Sequence, residues 1–214
     1  MKLIVGLGNP GDIYKDSRHN IGFSAVRALG SARKAVLKRD KGTFSLSARI
    51  KIDGRSVILA MPLTYMNLSG SAVANLLKKH KIELKDLLIV LDDLDLELGR
   101  LKIRPSGSSG GHRGLESVIE SVGSSDFSRL RIGIGRPPRG VEPSEYVLMP
   151  FLRKEKSEVK GGIEIAAQCC QSWVTEGIIE TMNNFNTSAS KALRNSGRSI
   201  LSERSEAKEI RQNE

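Results

Sequence analysis

The sequence has few of the residues on which disulfide-stabilised and zinc-binding proteins depend. Two cysteines and three histidines occur in 214 residues, and the cysteines are the neighbours Cys169 and Cys170. Adjacent cysteines do not usually form a structural disulfide, and they lack the spacing of a zinc-ligand pair. We therefore expect two free thiols on the face of a helix that packs in the protein core, and we expect no bound metal and no cofactor.

Long apolar runs are also missing from the sequence. A membrane-spanning helix needs about eighteen or more consecutive apolar residues, and a secretory signal needs a basic segment followed by an apolar one. Neither pattern is present. We expect a cytoplasmic protein that does not enter a membrane.

Acidic residues are outnumbered by basic ones. The chain contains 34 lysines and arginines against 24 acidic residues, which gives a net charge of +10. Such an excess is typical of proteins that bind a polyanion such as a nucleic acid. The other interpretation, that these side chains only keep the surface hydrated, stays open on charge alone.

The apolar pattern alternates between strands and helices. Strands are predicted over 2–5, 43–52, 55–61, 87–91, 100–104 and 130–134. Helices are predicted over 21–29, 115–122 and 154–183, with another that begins at Ser69. The run 87–91 is apolar throughout, which is typical of a strand buried on both faces. We expect an α/β fold, with residues 1–186 forming a single domain in which helices surround a twisted mixed β-sheet.

Four local features are part of this prediction. Ser69 is expected to cap its helix, and the pair Gly161-Gly162 is expected to interrupt the last one. Arg129 and Arg131 are expected to point outward from their strand. Residues 187–214 are rich in serine and charge and poor in apolar residues, so we expect a flexible tail.

A glycine-rich stretch over residues 6–23 follows the first strand and is the first candidate site. Gly6, Gly8 and Gly11 match the dinucleotide fingerprint G-x-G-x-x-G. However, Pro10 removes a backbone donor where the pyrophosphate would bind, and no acidic residue ends a second strand about twenty positions later. The match therefore gives weak support for a dinucleotide site.

Two further patterns suggest chemistry that the rest of the sequence does not support. Residues 107–111 match G-x-S-x-G around Ser109, but the nucleophile of such a motif needs a later histidine, and none follows His112. The acidic residues after the 87–91 strand offer oxygen ligands for Mg²⁺, or else form a hydrated turn. We favour one functional carboxylate among them, Asp92, because it ends the buried strand.

His19 and Asp92 form the most promising catalytic pair. Imidazole can take a proton from water near neutral pH, and a carboxylate bonded to its other nitrogen fixes the tautomer. Both residues follow predicted buried strands, so they can converge. The amides of Asn9 and Asn67 can hold a peptide bond and polarise an ester carbonyl without adding charge.

Several motifs together resemble the bacterial-type peptidyl-tRNA hydrolase family over about residues 1–186. They occur in that family's order and spacing, and they are Asn9-Pro10-Gly11 with Tyr14, Arg18-His19-Asn20, residues 62–70, residues 92–96, residues 110–115 and residues 129–135. The resemblance implies hydrolysis of the ester between peptide and tRNA, which releases tRNA for translation and rescues stalled ribosomes. It also implies a monomer that needs no cofactor and binds the acceptor arm and 3′ end of peptidyl-tRNA.

The resemblance also implies residue roles. His19 would be the general base, Asp92 would support it, and Asn9 and Asn67 would position peptide and water. The residues expected to bind substrate or tRNA are Tyr14, Asn20, Tyr65, Lys102, Arg104, His112, Arg113 and Arg131. The chain has Arg113 where the family usually has asparagine and Arg104 where lysine is usual. A further basic cluster is Lys78, Lys79 and Lys81.

An alternative from another class is an RNA-binding protein on the same fold that catalyses nothing. The set of Asn9, His19, Asn67 and Asp92 argues against it, because a protein that only binds RNA has no need of a positioned base.

Overall fold

A seven-stranded mixed sheet forms the centre of the domain. The computed structural model describes residues 1–186. In chain order the strands are β1 Lys2–Gly6, β2 Lys38–Asp40, β3 Ser45–Ile52, β4 Arg55–Pro62, β5 Leu87–Asp93, β6 Leu101–Arg104 and β7 Ser128–Gly133. Their order in the sheet is β2-β3-β4-β1-β5-β7-β6. Strands β4, β1, β5 and β7 run parallel, whereas β2, β3 and β6 join as antiparallel neighbours.

Helices cover both faces of this sheet. They are α1 Ile21–Ala32, α2 Ser69–His80, α3 Arg113–Val122, α4 Pro143–Tyr146, α5 Lys156–Thr175 and α6 Ile178–Phe185. One apolar cluster packs α1, α5 and α6 on the sheet, and a second packs α2 and α3 on the other face. The single domain, the mixed sheet and the surrounding helices confirm the predicted fold class.

Helix α1 lies unusually close to β1 and β5. A Cβ atom on Gly6 would meet the carbonyl oxygen of Gly22 at 2.2 Å, and one on Gly22 would meet that of Val90 at 2.4 Å. The first glycines of the G-x-G-x-x-G match therefore serve helix packing. After Gly11 the chain forms two short 3₁₀ turns, and α1 begins only at Ile21. A dinucleotide fingerprint requires a helix that begins within the glycines, so this geometry does not occur.

The predicted interruption of the last helix is at the wrong place. Gly161 and Gly162 lie inside α5, and Gly162 packs against the backbone of Gly99, where a Cβ would come within 2.9 Å of its Cα. The helix ends instead near Gly177, whose φ of 87° is the left-handed conformation that glycine tolerates. Close packing therefore explains Gly162, whereas a Cβ on Gly161 would meet no atom within 4 Å.

Two other local predictions need correction, and one strand was not predicted. Strand β2 was not predicted, because its three residues are polar and it lies at the sheet edge. Ser69 is the first residue of α2 and its hydroxyl makes no capping bond; Leu68 holds the cap position. Arg129 does not point outward into water, since only 2% of its surface is exposed.

Other expectations are met. Cys169 and Cys170 are free and buried in α5 with Trp173, as predicted. Burial raises the pKa of the Cys170 thiol to about 12. None of the helices in residues 1–186 is long and apolar enough to span a membrane. The predicted tail over 187–214 lies outside the residues that the structure describes.

Candidate active site

A cleft of about 620 Å³ opens at the carboxyl ends of the parallel strands. Asn9 follows β1, Tyr65 and Asn67 follow β4, and Asp92 lies at the end of β5. Ligands of open α/β sheets usually bind at this edge, because neighbouring strands end there and their loops diverge. The predicted catalytic residues Asn9, His19, Asn67 and Asp92 all line this cleft.

The remaining lining residues include two segments that are distant in the chain. We call the first the glycine wall: Ser109, Gly110, Gly111, His112 and Arg113. We call the second the apolar wall: Pro143, Ser144, Val147 and Leu148. Each wall is connected to a different histidine of the site.

One carboxylate oxygen of Asp92 accepts hydrogen bonds from two imidazole groups. Its Oδ1 lies 2.8 Å from Nδ1 of His19 and 3.0 Å from Nε2 of His112. The two rings are 4.9 Å apart between centroids. Because the carboxylate oxygen can only accept, each histidine must carry its proton on the nitrogen that faces Asp92.

The tautomer of His112 is fixed from both sides. Its Nδ1 accepts from the backbone N–H groups of Gly114 and Leu115, both at 3.1 Å, and so caps α3. An imidazole whose Nδ1 accepts and whose Nε2 donates is neutral. His112 is therefore held as a donor to Asp92 and is not available as a base. Sequence reasoning did not foresee the contact with Asp92 or the cap.

His19 has the opposite arrangement. Its Nδ1 donates to Asp92, and no residue described in the structure hydrogen-bonds to its Nε2. The ring lines the cleft with 12% of the side chain exposed. A neutral His19 in this tautomer presents an unprotonated Nε2, which is the atom that a general base needs.

Asp92 is ionised in this environment. Burial raises the pKa of its carboxyl group, but the interactions with His19 and His112, including the hydrogen bond that each ring donates, lower it more, so that the pKa lies well below the ordinary value of 3.8. The carboxylate can therefore orient both rings throughout the neutral pH range.

Asn9 presents its amide nitrogen to the cleft. Its Oδ1 accepts from the N–H of Met66 at 2.8 Å, which identifies the other side-chain atom as the NH₂ group. Asn20 fixes the backbone of Asn9: its Oδ1 accepts from Asn9 N at 2.7 Å and its Nδ2 donates to Asn9 O at 3.0 Å. Asn20 thus holds the backbone of Asn9 in position and does not line the cleft. This location differs from the expected role of Asn20 in substrate binding.

The arginines of the cleft are not equivalent. Arg131 pairs with the buried carboxylate of Asp93 at 2.6 Å, and Arg136 pairs with Asp95. Arg113 is exposed in the cleft and makes no ion pair with any residue in the described part of the chain. Asp93 and Asp95 are thus engaged with arginines.

Several predicted substrate residues lie outside the cleft lining. Tyr65 and His112 line it, but Tyr14 belongs to a 3₁₀ turn after β1 and does not. Lys102 and Arg104 lie on the edge strand β6, where they pair in register with Arg131 and Arg129 of β7. Lys78 and Lys79 lie in the last turn of α2 and Lys81 just after it, and none of them lines the cleft.

Other chemistries fit the site less well. Ser109 lines the cleft, but within the described residues its hydroxyl contacts only the N–H of Gly111, and not a base. His19, Asp92 and His112 offer three potential metal ligands. However, His112 donates a proton toward the shared oxygen, and the separations of 2.8 and 3.0 Å fit hydrogen bonds between the ligands themselves.

Arg18 belongs to a motif that the sequence analysis noted, but its structural role was not predicted. It is buried between the rings of Tyr146 and Phe151, at 4.3 and 4.8 Å from their centroids, and pairs with Glu155 at 2.8 Å. The backbone N–H of the neighbouring His19 donates to Val147 O at 2.8 Å. The apolar wall is therefore fastened beside His19.

The fold and the site together define a class. An α/β domain with a histidine backed by a buried carboxylate, and with an amide donor in the same open cleft, is typical of enzymes that activate water through a general base. The sequence model of the peptidyl-tRNA hydrolase family matches residues 3–193. The chain belongs to this family, as the sequence motifs predicted.

Individual relatives support the assignment. The peptidyl-tRNA hydrolase of Bacillus cytotoxicus is 45% identical over 186 residues, which cover 87% of this chain and 100% of the relative. That of Desulforudis audaxviator is 47% identical over 187 residues, which cover 87% and 94%. The crystal structure of the Acinetobacter baumannii enzyme superimposes with a TM-score of 0.82 at 37% identity, covering 87% of this chain and 95% of the other.

Proposed function

We propose that the protein hydrolyses peptidyl-tRNA with His19 as its general base. Membership of the family supports the reaction. The Nε2 atom of His19, which has no hydrogen-bond partner among the described residues, supports the mechanism. In the first step Nε2 takes a proton from water, and the resulting hydroxide attacks the ester carbonyl. Collapse of the tetrahedral intermediate breaks the bond to the ribose oxygen, which receives the proton from His19. The products are a peptide carboxylate and a tRNA with a free 3′-terminal hydroxyl.

Asp92 and Asn9 assist in different ways. Asp92 keeps the Nδ1–H tautomer of His19 and stabilises the imidazolium that forms when the base is protonated. The NH₂ group of Asn9 can donate to the carbonyl oxygen as negative charge develops on it. Asn67 is exposed in the cleft, where its amide can hold the peptide or the attacking water.

The distribution of cations supports binding of the acceptor arm of the tRNA beside β6, β7 and the glycine wall. Lys102 faces Arg131 across these two strands, and Arg104 is exposed on the same edge strand. Like charges directly opposite each other destabilise a sheet, so this arrangement favours a role in binding phosphates. Such contacts bind without reading sequence, which suits an enzyme that accepts many tRNAs.

Arg113 extends this positive surface to the base of the cleft. It is the first residue of α3, where a positive charge opposes the helix dipole and costs about 0.3–1 kcal/mol. Helix stability therefore does not explain the arginine, whereas a phosphate near the 3′ end of the tRNA does. Tyr65 is 59% exposed at the same cleft, where it can stack on a terminal base. Tyr14 is proposed to contact substrate from the neighbouring turn.

A single chain supplies both the base and the cations, which supports a monomer. We propose that this monomer acts in the cytoplasm, where it returns tRNA to translation during ribosome rescue. Light scattering of the purified protein would test the monomer, since a stable dimer gives twice the mass. No observation favours the alternative of an RNA-binding protein without catalysis.

The test of the mechanism is release of peptide from N-acetyl-aminoacyl-tRNA. General-base assistance contributes roughly 10² to 10⁴ in rate, so His19→Ala should lose most turnover while it keeps affinity for tRNA. His80→Ala is the matched control, because His80 lies at the end of α2, away from the cleft. A His19→Ala variant that kept most of its turnover would overturn the proposed base.

A further inference from the structure

The glycine wall has little structure of its own to hold it in place. Gly110 and Gly111 in the wall have φ angles of 58° and 78°, and Gly107, two residues before it, has a φ of 144°, all in the region that side chains disfavour. Such a segment loses much conformational entropy when it becomes ordered. The segment nevertheless includes His112, whose ring must donate to Asp92. The cap that His112 makes on α3 holds one end of the wall, so the end nearer Gly107 needs a separate fixed point.

Arg129 supplies this fixed point. Its guanidinium donates from Nη1 to the carbonyl oxygen of Gly107 at 2.5 Å, with a second, longer contact to that of Ser108 at 3.4 Å. It also donates from Nη2 to Ser125 O at 2.8 Å and from Nε to Phe127 O at 3.1 Å. One buried side chain thus joins the two residues that precede the glycine wall to the turn that precedes β7.

The chemistry of this contact requires an arginine. All of the acceptors are backbone carbonyls, and no carboxylate in the described chain forms an ion pair with Arg129. A buried cation without a counterion is unfavourable unless its donors are satisfied. Lysine has a single nitrogen and cannot reach carbonyls on both segments, whereas the planar guanidinium fork can. Burial also lowers the pKa of this guanidinium, with the nearby charge of Arg131 adding to the effect.

We propose that Arg129 is a positioning residue for catalysis, which fixes the glycine wall so that His112 holds Asp92 in line with His19. It touches neither substrate nor the reacting atoms. Arg129 fixes Gly107 and Ser108, and these residues fix the position of His112. His112 in turn holds the Oδ1 atom of Asp92 that also bonds to His19. The inference rests on the proposed mechanism, because it assigns Arg129 to the support of that base.

The test is a double-mutant cycle between Arg129→Met and His112→Ala, measured as kcat and KM for peptidyl-tRNA. A shift of about 1 Å in a catalytic group can cost roughly 10²-fold in rate, so Arg129→Met should lower kcat by about tenfold to a hundredfold with little change in KM. In the His112→Ala background the same substitution should cost less than threefold, since coupled residues are not additive.

Two further variants make the test decisive. Arg55→Met is the matched control, because Arg55 also donates to a backbone carbonyl, that of Val174 at 2.7 Å, but at the start of β4, away from the cleft; it should keep wild-type kcat. Arg129→Ala should regain activity in millimolar guanidinium, which has no such effect on the Arg55 variant. If Arg129→Met does not fold, Arg129→Lys takes its place in the cycle.

The outcomes separate the two proposals. Wild-type kcat in a folded Arg129 variant, or equal effects with and without His112, would overturn the positioning role. A fall in stability with unchanged kcat would do the same, because it would identify a purely structural arginine. His19→Ala is measured in the same series, and its retention of turnover would overturn the mechanism whatever Arg129 does.

Discussion

The two walls of the cleft are held by buried arginines of different kinds. Arg18 fixes the apolar wall with aromatic rings on both sides and a carboxylate partner, Glu155. Arg129 fixes the start of the segment that leads into the glycine wall through the backbone carbonyls of Gly107 and Ser108, and its guanidinium lies 4.7 Å from the centroid of the Phe127 ring. The first contact is an ion pair between packed side chains, and the second binds the chain itself, whatever its side chains are.

This difference follows from the side chains that each wall contains. The apolar wall has side chains that can pack, including Val147 and Leu148, so its support can be built from side-chain contacts. The glycine wall consists mainly of glycine and serine before His112, so that only its backbone can be held. We infer that the apolar wall serves the peptide and the glycine wall serves the tRNA. Asp92 joins them, because it bonds to a histidine beside each.

The largest effect is expected where the walls meet. Asp92→Asn removes the charge that both histidines share and lets an amide rotate, so His19 can adopt the wrong tautomer. The comparable change in serine proteases costs about 10⁴ in kcat, and we expect a loss of roughly 10³ to 10⁴. Single-turnover hydrolysis of peptidyl-tRNA measures it.

The pH dependence is a control for this variant. The pKa of Asp92 is depressed in the folded protein, so the ionised form and its stabilising effect are present above the unfolded value of about 4 and are lost only as the pH falls below it. The carbon-13 chemical shift of the Asp92 carboxyl group in the wild-type protein should therefore stay that of a carboxylate between about pH 6 and about pH 8. A change toward the shift of a carboxylic acid at the lower pH would show that Asp92 protonates within the working range.

The next effect concerns the stability of the apolar wall. Glu155→Gln leaves Arg18 buried without its partner carboxylate, and breaking a buried ion pair in this way costs about 3–5 kcal/mol. Because 17% of the Glu155 side chain is exposed against 3% for Arg18, we expect about 3 kcal/mol in urea unfolding. Arg18→Met should cost less, since it leaves the more exposed partner. The reverse order would contradict the burial argument.

A smaller effect, on tRNA binding, is expected from a substitution in the glycine wall alone. Arg113→Asn removes the cleft arginine that lacks an ion pair in the described structure, so binding of free tRNA should weaken and the dependence of log Kd on log salt should fall by about one unit. The apolar wall is untouched, so kcat should change little. Lys51→Asn, on β3 near the hairpin with β4, is the control. An unchanged salt slope would mean that Arg113 does not contact phosphate.

The smallest effect should isolate the apolar wall. Leu148 is 43% exposed at the cleft, and Leu148→Ser removes part of an apolar contact worth about 1 kcal/mol. We expect KM to rise by about threefold to tenfold for a peptidyl-tRNA with an apolar peptide, while the Kd of free tRNA stays the same. Weaker binding of free tRNA would contradict the division of labour between the walls.

Sequence patterns predicted the parts of this molecule that depend on neighbouring residues. The apolar run that becomes β5 ends at Asp92, and the irregular stretch after β1 contains Asn9 and His19, so their convergence at one sheet edge could be anticipated. The mixed sheet followed from the hairpin of β3 and β4 and from the apolar strands.

The features that sequence patterns missed depend on residues far apart in the chain. Strand alternation predicts an outward Arg129, but the loop that covers it comes from residues 107–108. The sandwich around Arg18 requires Tyr146 and Phe151, more than a hundred positions away. The tautomer of His112 depends on its place at the start of α3, which propensity alone put two residues later.

The central claim is that His112 and His19 hold opposite tautomers around one oxygen of Asp92. Nitrogen-15 NMR of the imidazole groups tests it most directly, because the chain has only three histidines to assign. The account predicts a neutral His112 protonated on Nε2 and, at a pH where His19 is neutral, a His19 protonated on Nδ1. A proton on Nδ1 of His112, or a neutral His19 protonated on Nε2, would contradict it.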